Sequence, residues 1–139
     1  MKIMAIDYGD AHTGIAVSDA LLTLAGFTTV ITAYRPEAVA AEVQNLIAEH
    51  GVTELVLGHP LNMDGTRGPR AEKAEGFAAL LRETTGLPVT LWDERRTTVD
   101  AHNILMAGGK NAKQRKKTVD AVAATLILEG YLTLRRNRP

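Results

Sequence analysis

A continuous apolar run near the start of the chain, residues 3–6, ends in the acidic residue Asp7. Because this run has no polar position for an exposed face, it predicts a central β-strand that is covered on both sides. Gly9 and Gly14 bracket the next segment, and the residues after Gly14 are apolar again, which indicates a tight connection and a second, antiparallel strand. The sequence therefore predicts a buried hairpin with a carboxylate where the central strand reaches the surface. An aspartate that simply begins a turn is the structural alternative.

The length and composition fit one folded domain that spans residues 1–139, with 45% apolar residues and no internal repeat. The chain has no cysteine, which excludes a disulfide framework and a thiolate metal site. It has no signal-peptide cleavage pattern and no uncharged apolar run of membrane-spanning length. We therefore expect a cytoplasmic protein with no membrane partner.

The basic residues are unevenly distributed, although 16 of them balance 16 acidic residues. Eight of the 16 lie in two short segments, and the rest of the chain is acidic. The first segment contains Lys110, Lys113, Arg115, Lys116 and Lys117, and the second contains Arg135, Arg136 and Arg138. A basic segment is most simply a solvated loop, and the alternative is a contact with nucleic acid.

Apolar periodicity and the positions of glycine and proline predict five strands and four helices. The strands are expected at residues 3–6, 15–17, 24–33, 55–58 and 89–92. The helices are expected at residues 36–50, 69–85 and 97–107, followed by a last helix that is capped by Thr118. Three antiparallel strands followed by strand–helix alternation predict an α/β fold. Its mixed five-stranded sheet is parallel in the second half and flanked by helices.

Acidic side chains come from three distant parts of this predicted sheet. Asp7 ends the first strand, Asp93 and Glu94 follow the fifth strand, and Asp120 lies in the first turn of the last helix. Because the carboxyl ends of parallel strands meet at one edge of a sheet, these acids are expected to converge there. Such a set of oxygen ligands is typical of a site for a hard cation such as Mg²⁺.

Each acid also has a simpler structural explanation. Asp120 suits the amino end of a helix because its charge complements the helix dipole. Asp93 and Glu94 are able to pair with the adjacent Arg95 and Arg96 at a surface turn. The residues alone leave both interpretations open.

Four segments, in order and at the expected spacing, resemble the signature segments of the YqgF/RuvX family. They are DYG followed by GIAVSD within residues 7–19, GHPLNMDG at 58–65, DERRTT at 93–98 and KKTVDAVAA at 116–124. The family is described as Holliday junction resolvases and as nucleases that mature the 5′ end of pre-16S ribosomal RNA. Its resemblance to RNase H and RuvC implies an RNase H-like fold.

The resemblance implies a metal site and hydrolytic chemistry. The matching positions are Asp7, Glu94 and Asp120, which would act as catalytic residues and hold Mg²⁺ or Mn²⁺. Two such ions would assist hydrolysis of a phosphodiester by activating the attacking water and stabilising the leaving oxygen. The product would carry a 5′-phosphate and a 3′-hydroxyl.

Contacts with nucleic acid are predicted around these acids. The predicted contacts are Asn62, Arg95, Arg96, Lys110, Lys113, Arg115, Lys116 and Lys117. The chain departs from the family pattern where His12 and Thr13 replace a basic and an aliphatic residue, so the resemblance carries no cationic contact over to that turn. Arg96 stands where the family commonly has an aliphatic residue, and it is expected to add a phosphate contact.

Other functions remain open at this point. The substrate is expected to be precursor ribosomal RNA, with branched DNA as the alternative, and the protein is expected to be a monomer or a homodimer. A non-catalytic module that binds RNA or the ribosome would keep the fold without cutting. An actin-like ATPase shares the Asp-x-Gly hairpin, but such proteins hold nucleotide between two related domains.

Overall fold

The structure is a computed structural model that describes residues 1–96 and 112–137, with the backbone alone at residues 96 and 112–120. The strands are β1 (Lys2–Asp7), β2 (His12–Ser18), β3 (Ala25–Thr32), β4 (Val52–His59) and β5 (Val89–Asp93). The helices are α1 (Pro36–His50), α2 (Pro69–Thr85) and α3 (Ala112–Arg136), and a 3₁₀ turn (Glu94–Arg96) follows β5.

The five strands form one mixed sheet in the order β3-β2-β1-β4-β5. Strands β1 and β2 pair antiparallel, as do β2 and β3, whereas β4 pairs parallel with both β1 and β5. The apolar run of residues 3–6 is fully buried at the centre, as a strand covered on both faces must be. The predicted sheet is confirmed, including its change from antiparallel to parallel pairing.

Helices cover both faces of the sheet. Met4 and Ile6 belong to an apolar core with α1 and α2, whereas Ile3 and Ala5 belong to a second core with α3. Successive side chains of a strand point to opposite faces. Asp7, two positions after Ala5, therefore lies on the side of the sheet that α3 covers.

The first two helices begin and end as predicted. Each has a proline in its first turn, and each ends at a glycine in the left-handed conformation, Gly51 with φ 71° and Gly86 with φ 70°. Proline suits the first turn because that turn needs no N–H donor, and glycine accepts positive φ without steric cost.

The prediction that Thr118 begins the last helix was wrong, because α3 begins at Ala112. Alanine, lysine, arginine and glutamine favour helix, and no glycine or proline interrupts them. The sequence interpretation depended on apolar periodicity, which this polar segment lacks. Asp120 is consequently not in the first turn, and complementing the helix dipole no longer explains it.

The helix predicted at 97–107 lies outside the described residues. Within residues 1–96 and 112–137, no helix combines the length and the apolar character needed to cross a membrane.

Candidate active site

Asp7 and Glu94 meet at the carboxyl edge of the sheet, from strands that are separated by β4. Asp7 is the last residue of β1, Glu94 directly follows β5, and their side chains are joined by a hydrogen bond. Between them lies Gly58 of β4, where an added Cβ would come within 2.6 Å of Glu94 Oε1. The carboxyl group of Glu94 therefore occupies space that any larger residue at position 58 would fill.

Glu94 is held in an environment that penalises its charge. Burial raises the pKa of its carboxyl group, and the hydrogen bond with Asp7 and the charges of Arg70 and His59 oppose that effect. Two adjacent carboxylates repel each other unless they share a proton or bind a cation. This pair of oxygen donors therefore fits a hard divalent cation.

Helix α3 crosses the same face of the sheet and extends past the site. A Cβ at Gly58 would lie 2.9 Å from Ile127 Cδ1, while Tyr131, one turn further along α3, donates a hydrogen bond to Glu54 nearer the start of β4. The amino-terminal half of α3 therefore projects beyond the carboxyl end of β4.

Position 120 lies seven residues before Ile127, which is about two helical turns and hence the same face of α3. Ala124, between the two, is fully buried on that face. The side chain of Asp120 lies outside the described part of the structure, so its place in the site stays a prediction. Among the described side chains, no group of three His, Cys, Asp or Glu residues is arranged to hold a metal ion.

The loop after β4 has a defined internal structure. Gly65, with φ 88°, donates its N–H to the carbonyl of Asn62 at 2.8 Å, which closes a tight turn. The Asn62 side chain donates to Thr66 Oγ1 at 2.9 Å, and Asp64 Oδ1 accepts the Thr66 N–H at 3.0 Å. Asn62 therefore organises this loop, and its predicted contact with nucleic acid stays a prediction.

Arg95 has partners within the protein. Its guanidinium group donates to both oxygens of Asp93, with Nη2 2.7 Å from Oδ2, and also to the carbonyl oxygen of Met63 at 3.4 Å. The pairing expected of Asp93 at a surface turn is confirmed, and it ties the loop to the end of β5. A phosphate would have to share the Arg95 guanidinium group with Asp93, so the contact of Arg95 with nucleic acid stays a prediction.

A second ionic network fixes the same loop to α2. His59 Nε2 lies 2.6 Å from Glu75 Oε2, which also accepts a hydrogen bond from Arg67 Nε at 2.8 Å. These contacts lower the pKa of Glu75 to about 2, with the larger effect from Arg67. The loop is therefore held at its start and at its end by one carboxylate.

Some of the predicted basic contacts lie in α3, and the others lie outside the described residues. Lys110 and the Arg96 side chain lie outside the described residues. Four of the predicted residues lie in the first two turns of α3 rather than in a preceding loop, and their side chains are not described; they are Lys113, Arg115, Lys116 and Lys117. All four precede position 120 in α3, on the side away from Ile127.

Comparison with known proteins identifies the family. The family model described as "RuvX: Holliday junction resolvase" matches residues 1–134. The chain belongs to the RuvX family. A relative from Carboxydothermus hydrogenoformans, named "Putative pre-16S rRNA nuclease", is 45% identical over 95% of this chain and 96% of its own length. A relative of the same name from Geobacillus kaustophilus is 44% identical over 98% of this chain and 100% of its own. The resemblance seen in the four motifs is confirmed.

Solved structures agree on the fold. RuvC from T. thermophilus, in complex with a Holliday junction substrate, superposes with a TM-score of 0.64 at 18% identity and covers 100% of this chain and 99% of its own. A ROK hexokinase from Thermus thermophilus gives a TM-score of 0.50 at 22% identity, and only 36% of that chain is covered. The RNase H-like fold is thereby confirmed. Together with the RuvX family it supports a nuclease, a hydrolase that acts on nucleic acid.

Sequence reasoning missed three residues around the site. Gly58 provides the space for Glu94, and Arg70 and His59 supply positive charge to it. A glycine inside a strand often marks a place where another group approaches the backbone closely, so Gly58 could have been singled out. His59 lies in the segment at 58–65 that resembles the family, but it was not predicted as a site residue, and nothing in the sequence pattern indicated Arg70.

Proposed function

We propose that this RuvX protein is a metal-dependent endonuclease that matures the 5′ end of pre-16S ribosomal RNA. The observation that carries the proposal is the contact between Asp7 and Glu94 over Gly58, because it brings together acids 87 positions apart in the sequence. The names of the close relatives support the choice of RNA as substrate.

Asp7, Glu94 and Asp120 would hold the divalent cation, Mg²⁺ or Mn²⁺. The donor set is chemically suitable, since hard cations prefer carboxylate oxygens. When bound, the cation would supply a nucleophilic water at neutral pH and charge stabilisation for the leaving oxygen. No side chain would need to act as a covalent nucleophile.

The protein's own residues have a separate task, which is to hold the carboxyl groups in place. Gly58 leaves room for Glu94, while Arg70 and His59 favour its charged form against the effect of burial. The loop that contains Asn62 is fixed through Arg95 and Glu75, and it would border the bound strand. The basic first turns of α3 would neutralise phosphates of the substrate.

A Holliday junction resolvase is the second candidate, because that is the description of the matching family and because RuvC shares the fold. Symmetric cutting of a junction would favour a homodimer, whereas RNA maturation is compatible with a monomer. A protein of rRNA maturation would act in the cytoplasm.

The test compares the purified protein with Asp7→Asn on precursor 16S RNA and on a four-way DNA junction, with Mg²⁺ or Mn²⁺ supplied. We expect metal-dependent cleavage of the RNA by the unmodified protein and none by the variant. Cleavage of the junction alone would favour the resolvase. Binding without cleavage of either substrate would indicate a non-catalytic module.

A further inference from the structure

A cleft of about 340 Å³ lies beside the candidate active site, on the side of the sheet that α2 covers. It is formed by the residues that directly follow Asp7, by Pro60 after β4 and by the first two turns of α2. None of its lining residues belongs to the predicted metal site or to the predicted nucleic-acid contacts.

Tyr8 forms a fixed wall of this cleft. Its ring is stacked on Phe77 of α2, with ring centroids 4.0 Å apart and an angle of 6° between the planes. The Tyr8 hydroxyl group is able to donate a hydrogen bond. Asp7 and Tyr8 are consecutive and turn toward opposite faces, one to the metal site and one to the cleft.

Two cations line the other side of the cleft, and they are not equivalent. Lys73 already has a partner, because it forms an ion pair with Asp10. Arg70 is exposed, and within the described part of the chain it forms neither a hydrogen bond nor an ion pair. Arg70 lines the same cleft as Tyr8, the residue that directly follows Asp7.

Arg70 therefore lines the cleft next to the segment that follows Asp7, with its guanidinium group available. A guanidinium group is suited to a phosphate because its planar N–H donors match two phosphate oxygens. A strand whose scissile phosphate lies at Asp7 and Glu94 would pass over the Asp7–Tyr8 segment and enter the cleft.

We propose that this cleft binds a phosphate of the substrate strand next to the scissile one, with Arg70 as the main contact and the Tyr8 hydroxyl as a second donor. The proposal rests on the proposed nuclease function and adds a subsite to it. The subsite would fix the register of the strand over the carboxylates, so that Arg70 is a positioning residue for cleavage.

The test is a double-mutant cycle between the protein and the substrate, measured as binding in an Asp7→Asn background that keeps the RNA intact. The probe is a fluorescent RNA that spans the 5′ end of 16S ribosomal RNA. One phosphate at a time is replaced by a neutral methylphosphonate beside a 2′-deoxynucleotide, and the reference RNA has the same deoxynucleotide with a normal phosphate. Each RNA is titrated against proteins with Arg70 and with Arg70→Gln.

With Arg70 present, neutralising one phosphate next to the scissile position should weaken binding by about tenfold, the range expected for a charge-assisted contact. With Arg70→Gln the same replacement should weaken binding by much less, because only the Tyr8 hydroxyl contact remains. For the reference RNA, the slope of log affinity against log salt concentration should be smaller by about one with Arg70→Gln than with Arg70. Lys2→Gln, which removes one positive charge at the opposite edge of the sheet, is the matched control. It should lower the affinity by the same factor for every RNA, whichever phosphate is replaced, or leave it unchanged.

The proposal would be overturned if, at every phosphate position, the effects of Arg70→Gln and of phosphate neutralisation on the free energy of RNA binding are additive. Competition by ATP that is lost in Arg70→Gln would also overturn it, by assigning the cleft to a free nucleotide. The cycle depends on binding alone, so a failure of the nuclease function appears separately, as an unmodified protein that cleaves nothing.

Discussion

Replacement of Gly58 by alanine tests the geometry of the site without removing any of its chemical groups. The new Cβ would lie 2.6 Å from Glu94 Oε1 and 3.1 Å from Glu94 Cδ, whereas ordinary van der Waals contact begins at 3.4 Å. The carboxyl group must therefore move by about 0.8 Å, since the Cβ belongs to a strand paired on both sides. Metal–ligand distances tolerate only about 0.2 Å.

We expect Gly58→Ala to lower the rate of RNA cleavage by about 100-fold, the effect of a misplacement of about 1 Å. The concentration of Mg²⁺ needed for half-maximal activity should rise. Overpacking against Glu94 and Ile127 should cost about 1–3 kcal/mol of unfolding free energy, which leaves a folded protein to assay. Urea unfolding measures the stability, and a metal titration of the cleavage rate measures the effect on the site.

Gly76→Ala is the matched control, because a Cβ at position 76 of α2 meets nothing within 4 Å. This change should leave cleavage unaltered and stabilise the helix by about 0.5–1 kcal/mol. If Gly58→Ala does not fold, Glu94→Gln keeps the shape and removes the charge, and it should abolish cleavage. A Gly58→Ala protein with the cleavage rate and metal requirement of the unmodified protein would refute the reasoning.

Two further predictions concern the loop and the basic helix. The pKa of Glu75 is lowered to about 2, so its stabilising contacts are present above about pH 4.5 and are lost as the pH falls toward 2. The stability difference between the unmodified protein and Glu75→Gln in urea unfolding should therefore shrink over that range, and a difference that stays constant down to pH 2 would contradict the assigned contacts. Neutralising the basic residues of the first turns of α3 should weaken RNA binding at all sequences and reduce its salt dependence, whereas an unchanged salt slope would mark them as solvated surface. The residues to replace are Lys113, Arg115, Lys116 and Lys117.

The features of the fold that were predictable are those encoded locally. An apolar run without polar positions indicated the central strand, and Pro69 and Gly86 marked both ends of α2. The start of α3 was not predictable from apolar periodicity, because its first turns are polar and only their helix propensity indicated them.

The candidate site was only partly predictable, because its arrangement depends on packing between distant residues. The convergence of Asp7 and Glu94 followed from strand direction, which the sequence pattern indicated. The contact of His59 with Glu75 could not be inferred in that way, since it requires α2 to pack at a particular angle over β4. The free guanidinium group of Arg70, within the described part of the chain, was equally hidden in a helix that looked ordinary.

The central claim is that Asp7, Glu94 and Asp120 jointly bind divalent cations. The most direct measurement is anomalous diffraction from crystals of this protein soaked in Mn²⁺. The account predicts anomalous density at the carboxyl edge of the sheet, bound by oxygens of all three residues at about 2.0–2.2 Å. Density elsewhere, or a Glu94 or Asp120 side chain that points away from Asp7 in the presence of Mn²⁺, would contradict it.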